Sequence, residues 1–250
     1  MRHLLQRHPF AVEAFFRHTL VLTYAFPRDV LDPLLPPGLV LDTHGDFGFV
    51  AIALVQTARL RPAFLPAALG CDFFLAGYRL FTRLGHENSA LRGLCILRSD
   101  TDRAFMVHAG NLFTHYRYHR CEAAIEEGED QLTCRIRTPR GEADLDVTAR
   151  LSTPAALPAG SPFTTGREAL RFAGPLPFTF SYEPETRSIL RIRGVRAAWH
   201  PRPVAVEVRT VSFFDRDPFR AATPILAAAF HLRDVPYRWE RAVRTRVEAA

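Results

Sequence analysis

The chain has 250 residues, 48% hydrophobic and 23% charged, with 14 Gly, 19 Pro and 4 Cys; these proportions exclude collagen-like, low-complexity and disulfide-scaffold classes. It carries a formal charge of +6, but all 32 of its Lys+Arg residues are Arg, which excludes imine chemistry on a lysine side chain and leaves only the N-terminal amine for it. The arginines are interspersed with acids instead of gathered in a stripe, so nucleic acid is not the expected partner.

In chain order, MRHLLQRHPF interrupts the apolar run that a secretion signal needs. The longest clean apolar run, Phe47 to Val55, falls short of the ~18–20 residues that span a bilayer, and a cytoplasmic protein without membrane association is the expectation. HTLVLTYAF (18 to 26) predicts a strand. PRDVLDPLLPPG then predicts a short helix opened by Pro27 and ended by Pro36-Pro37-Gly38. GLVLDT and FGFVAIALVQTARL predict strands around a turn, and RPAFLPAALG an irregular loop. FFLAGYRLFTRL, LRGLCILRS and LFTHYRYHRCEAAI read as a second strand group, with GHENS and SDTD as turns. DRAFMVHAGNLF suggests a short helix entered at Asp102. QLTCRIRT, ADLDVTARL, RSILRIRGV and PVAVEVRTVSF predict further strands, with LSTPAALPAGSP as a short linker, while Pro224 leaves FRAATPILAAAFHL ambiguous between helix and strand. The expectation is a single domain over residues 1–250.

Cys71, Cys95, Cys121 and Cys134 form no Cys-x-x-Cys pair, so no metal and no redox dithiol is encoded. No nucleophile elbow, phosphate loop or dinucleotide fingerprint is present, and no cofactor is expected. His86-Glu87-Asn88 stops short of a zinc-protease pattern.

The chemically densest run is residues 111 to 121, NLFTHYRYHRC. As a strand it places His115, Arg117, His119 and Cys121 on one face and Thr114, Tyr116, Tyr118 and Arg120 on the other. His115 and His119 would stand about 13 Å apart, too far to share a metal. One face suits an anionic or carbonyl-bearing small molecule; a solvated strand face is the alternative. Arg187, Arg191, Arg193 and Arg196 read as an outward strand face, and Trp199 and Trp239 as pocket walls or core.

LTYAFPRDVLDPLLPPGLVLDT, FGFVAIALVQTARLR, GNLFTHYRYHR and AFHLRDVPYRWERAV together resemble the uncharacterised YqjF-like family (domain of unknown function 2071) of the acetoacetate decarboxylase-like superfamily. The resemblance spans most of residues 15 to 245. It implies a mainly β (α+β) fold, an antiparallel sheet curled into a conical barrel with small flanking helices and a ligand cavity inside. Laying NLFTHYRY on the decarboxylase lysine block puts Asn111 at its glutamate, Arg117 at the Schiff-base lysine and Tyr118 at the neighbouring lysine. FFLAGYRL offers no carboxylate where the decarboxylases carry a catalytic acid. A one-residue slip in this block would exchange Tyr116 and Arg117 between faces.

The sequence thus points to a small-molecule cavity, for an organic acid or a carbonyl compound, without lysine Schiff-base chemistry. Arg117, Tyr116, Tyr118, His115 and His119 are its candidate catalytic residues, with Asn111, Arg117 and Trp199 as ligand contacts. A lyase-like or hydrolase-like activity, a non-catalytic binding or assembly module, and self-association into a homo-oligomer all stay open at this level.

Overall fold

The computed structural model describes residues 2–85, 89–152, 155–174, 176–196 and 199–247; the turn read at residues 86–88 lies outside them. After the single-turn helix α1 (Arg2–Leu5), the chain runs through β1 (Val12–Pro27), α2 (Arg28–Leu31), β2 (Leu39–Leu41), β3 (Phe47–Pro62), β4 (Cys71–Leu84) and β5 (Arg92–Thr101). There follow α3 (Ala104–Phe113), β6 (Tyr118–Arg120), β7 (Glu122–Glu127), β8 (Gln131–Arg137), β9 (Leu145–Arg150), α4 (Gly166–Ala173), β10 (Phe178–Glu183) and β11 (Ser188–Arg196). The last elements are β12 (Arg202–Pro203), β13 (Ala205–Val211), β14 (Ile225–Trp239) and β15 (Val243–Arg246).

The larger sheet has the order β12-β14-β1-β3-β4-β5-β10-β11-β15 and is mainly antiparallel; β10 and β6 each pair with β5 in parallel. Because β11 also pairs with β14, from Gly194↔Trp239 to Arg196↔Tyr237, the path closes into a barrel, which removes most of its exposed edge. Register shifts in β1 at Glu13/Phe15 and Phe16/His18, and between β4 and β5 at Tyr78/Arg79, bend the strands as bulges do. A smaller antiparallel sheet, β13-β9-β8-β7, packs over one face of the barrel.

Residue alternation explains the two layers. Leu20, Leu22, Tyr24 and Phe26 of β1, Val50, Ile52 and Leu54 of β3, and Phe74, Ala76, Tyr78 and Leu80 of β4 meet Leu132, Ile136, Leu145 and Val147 of the smaller sheet. The other parity, with Thr19 and Val21, Ala51, Ala53 and Val55, Leu75 and Arg79, lines the barrel interior. Along β3 the interior residues divide: Phe49 and Ala51 pack with Ala169 and Ala173 of α4, whereas Ala53 and Val55 pack with Met106 of α3. The two helices thus cover opposite ends of the interior. Thr165 caps α4 by accepting from the Glu168 amide (3.1 Å), and the Glu168 carboxylate accepts from the Thr164 amide (2.7 Å).

Several local readings are corrected. Residues 111 to 121 are not one strand: α3 continues to Phe113, and β6 begins only at Tyr118. Asp102 does not cap α3, since its Oδ1 accepts from the Phe74 amide (2.7 Å) and the cap position is Arg103. Pro27 ends β1 and stands just before α2 rather than in its first turn. After Pro224 the chain is strand, because β14 finds partners on both sides in β1 and β11.

One buried carboxylate ties three strands together. Asp42, fully buried after β2, accepts from Arg83 Nε (2.7 Å) and Arg92 Nε (2.6 Å), two cations facing each other across β4 and β5. Asp42→Ala removes two charge-assisted bonds and leaves like charges adjacent, and should cost about 2–4 kcal/mol of stability in denaturant unfolding. The pH dependence has a stated direction. Burial lowers both His8 and His231 to about 4, whereas an unfolded imidazole protonates near 6.5. The unfolded chain therefore binds more protons below pH ~6.5, and each histidine withdraws up to about 3 kcal/mol as the pH falls towards 4. Asp100, raised to about 6 chiefly by burial, acts in the opposite sense. Denaturant titrations between pH 7.5 and 5 should give a shallower loss in His8→Gln than in the parent chain.

Candidate functional site

Small side chains leave the interior open. Ala51 and Ala53 of β3, with Thr19 and Val21 of β1, form a low floor to an enclosed cavity of about 100 Å³. Arg79 of β4 enters it from one side and Arg196, the last residue of β11, from another, with Tyr116, Tyr118, Thr179, Trp199, Tyr237 and Trp239 among the remaining walls. No carboxylate and no histidine lines this space among the described residues.

Arg79 is half-buried and lines the cavity. Its guanidinium folds back over Gly77, where a Cβ would lie 2.8 Å from Nε; the missing side chain provides the room. Nε is buried without a hydrogen-bond partner. Burial pulls the Arg79 pKa down, opposed by Tyr237, Tyr116 and Tyr118 nearby. Arg196 is held more firmly: its Nη2 donates to the Leu176 carbonyl (2.9 Å), and its guanidinium lies over Trp199 at 4.5 Å and Tyr237 at 5.6 Å from the ring centroids. Burial lowers its pKa as well, with Arg79 adding like-charge repulsion.

Burial raises both tyrosine hydroxyls, Tyr118 to about 12 and Tyr116 further, so both stay protonated at neutral pH. The Tyr116 hydroxyl lies near Thr179 without a hydrogen bond of ordinary geometry. Trp199 Nε1 and Thr19 Oγ1 are likewise buried and unpartnered. The residues that line the cavity therefore carry four buried and unpartnered polar atoms able to donate, Arg79 Nε, Tyr116 OH, Trp199 Nε1 and Thr19 Oγ1, and no carboxylate lines the space among the described residues. Buried polar groups are normally paired, and a set of donors this unmatched is complementary to a ligand rich in acceptor oxygens.

The residues singled out in the sequence divide between two places. Tyr116, Tyr118 and Trp199 line the inner cavity. Arg117 adopts φ +54° and is exposed; its side chain, with those of His115 and Asn111, lines a separate and more open depression of about 500 Å³ beside Leu34–Pro37. Asn111 spends its amide on β6, donating to the Tyr118 carbonyl (2.9 Å) and accepting from the Tyr118 amide (2.8 Å), which makes it a bracket for Tyr118. Burial lowers the His115 pKa. His119 is half-exposed, with Nδ1 3.9 Å from Asp100. Arg196, read as part of an outward face, instead points inward, because the β11–β14 pairing closes the barrel at that residue.

Arg79 and Tyr237 carried no signal in the sequence that marked them as cavity residues. Arg79 sits between aromatic and aliphatic neighbours in LAGYRLF, a place where a cation reads as outward-facing. Among the described residues no group of three or more His, Cys, Asp or Glu side chains is arranged to hold a metal, and no helix is long and apolar enough to cross a membrane.

A buried cation without a counter-charge is costly in the unliganded protein. Arg79→Met, which keeps most of the volume, should therefore raise stability by on the order of 1–4 kcal/mol in ligand-free denaturant unfolding, a gain that an arginine already neutralised by protein groups would not show.

No curated protein matches the chain in sequence. Its architecture is that of several solved structures. An acetoacetate decarboxylase-like enzyme from Sphingomonas wittichii RW1 superposes with a TM-score of 0.64 at 12% identity, over 95% of this chain and 94% of that one. The acetoacetate decarboxylase of Legionella pneumophila gives 0.61 at 12% identity, over 95% and 88%. The enduracididine biosynthesis enzyme MppR, complexed with pyruvate, gives 0.63 at 12% identity, over 94% and 90%. At these identities the likeness is one of fold. In sequence, residues 13–233 match the model of the DUF2071 family, described as an uncharacterized conserved protein, and the chain belongs to that family.

Proposed function

We propose that this protein binds a small organic acid inside its barrel, with Arg79 as the principal carboxylate partner and Arg196, Tyr116, Trp199 and Thr19 completing a ring of donors. The observation that carries this reading is the set of buried, unpartnered donors on residues that line the cavity, with no carboxylate among the described lining residues. A carboxylate supplies two oxygens and a negative charge, and would neutralise the cation that the fold leaves unpaired. That one structural relative is described in complex with pyruvate is in keeping with an acid of that size.

The chemistry available is narrow. With no lysine in the chain, a side-chain imine is out of reach. With no carboxylate or imidazole on the cavity wall among the described residues, none of these supplies an ordinary general base to the ligand. The protonated tyrosines and arginines suit charge stabilisation on a bound acid, and binding is the activity assigned here. Arg117 and His115 belong in this reading to the outer surface, and Asn111 to the positioning of Tyr118. The chain acts as one unit, and four free cysteines, three of them buried, suit a reducing cytoplasm.

The test is titration of the purified protein with pyruvate and butanoate against their neutral amides, by calorimetry and thermal shift. Carboxylates should bind and stabilise, the amides should not, and Arg79→Met should weaken carboxylate binding at least tenfold. Borohydride treatment of the same mixtures should leave the intact mass unchanged. Equal binding of the amides, or acid binding unaffected in Arg79→Met, would overturn the assignment.

A further inference from the structure

The inner cavity is too small to be a whole site. Its volume of about 100 Å³ is below the ~300 Å³ at which ordinary ligand pockets begin. A second chamber of about 350 Å³ lies against it, under α3 and the 60–71 loop, and Leu75, Tyr116, Tyr118 and Trp239 line both. The two spaces thus share an aromatic partition. Tyr118 is drawn onto α3 at Gly110, where a Cβ would lie close against its ring, and Asn111 pins its backbone on both sides.

The outer chamber has the opposite chemistry to the inner one. Phe10, Leu65, Phe73, Phe105, Met106 and Phe113 dominate its walls. Its polar groups are committed to the protein: Arg61 donates to Glu13 (2.8 Å) and the Leu65 carbonyl (3.0 Å), Thr114 Oγ1 to the Gly110 carbonyl (2.8 Å), and Cys71 Sγ to the Leu60 carbonyl (3.6 Å). His8 Nδ1, by contrast, is unpartnered, with burial lowering its pKa to about 4, and so is the Tyr116 hydroxyl on the shared partition. At the mouth, Leu69 is 65% and Phe105 63% exposed, an unusual placement for large apolar side chains unless something apolar passes between them.

Resting on the anion-binding reading above, we infer that the ligand is a monocarboxylic acid with an apolar tail of several carbons. Its head meets Arg79 in the inner cavity, and its tail runs past Tyr116 and Tyr118 into the outer chamber. Arg79 lies at one end and apolar side chains dominate the walls at the other, so the acid is read by charge at its head and by hydrophobic burial along its tail. The same partition explains why the two spaces are separate without ligand: the tyrosine rings rest against each other, with centroids 6.4 Å apart.

The experiment is a series of straight-chain acids from butanoate to decanoate, titrated by calorimetry into the full chain, into Met106→Trp, which fills the outer chamber, and into Arg79→Met. Each added methylene should tighten binding by about fourfold until the chamber is full. Met106→Trp should flatten that dependence on length, and Arg79→Met should weaken every acid by a similar factor while keeping the slope. Affinity that depends on Arg79 but not on chain length would overturn the tail assignment and leave the anion site standing. Tightening with length that Met106→Trp does not change would place the tail elsewhere and overturn it too. Failure of every acid to bind would overturn the anion reading and this inference with it.

Discussion

A guanidinium folded into the interior of a closed barrel, with no carboxylate to meet it among the described residues, is the constraint around which the rest of the candidate site is arranged. Moving such a charge from water into a protein interior is among the costliest things a fold can do. Arg79 is tolerated because Gly77 makes room for it and because Tyr237, Tyr116 and Tyr118, which oppose the effect of burial on its pKa, lie nearby. These compensations are partial. In the proposed reading, the residual cost is the energy that an anionic ligand would recover on binding.

The barrel depends on pairing at both long edges of β1. That strand is matched along most of its length by β3 and by β14, and β14 reaches far enough to meet β11 as well. This closure brings Arg196, Tyr237 and Trp239 to the same interior as Arg79. The smaller sheet covers the outward parity of β1, β3 and β4, which is why these strands read as nearly unbroken apolar runs instead of alternating ones. Elsewhere the fold pairs its charges: Asp42 joins Arg83 and Arg92, and Arg98 meets Asp100 and Glu142. Arg79 and Arg196, which meet no carboxylate among the described residues, stand apart from those pairs.

Fold kinship and chemistry part company here. The chain shares its architecture with acetoacetate decarboxylases, yet has no lysine anywhere. The segment that resembles their lysine block contributes Tyr116 and Tyr118 to the interior and turns Arg117 outward. A fold that positions a cavity does not carry its reaction along when the reacting groups change.

Much of the fold was legible in the residues themselves. The β-branched and aromatic runs of β1, β3, β4 and β5 name their own conformation, the Leu-Leu-Pro-Pro-Gly stop ends the helical segment after β1, and the absence of lysine settles one mechanism without any coordinates. The strand reading of residues 111–121 could not decide between Tyr116 and Arg117, because residues 114–117 are not a strand. What alternation cannot provide is which parity faces a cavity. Arg79 and Arg196 look like surface cations in sequence because the reason they are not lies far away in the chain: β14 closing on β11 for Arg196, and the enclosure of the β4 interior face for Arg79. Nor does local pattern register that Gly77 and Gly110 matter for the side chains they admit. The strands were decided locally, by propensity and spacing; the site was decided only when the sheet closed, because an unpaired donor is a property of everything around it and not of the residue that bears it.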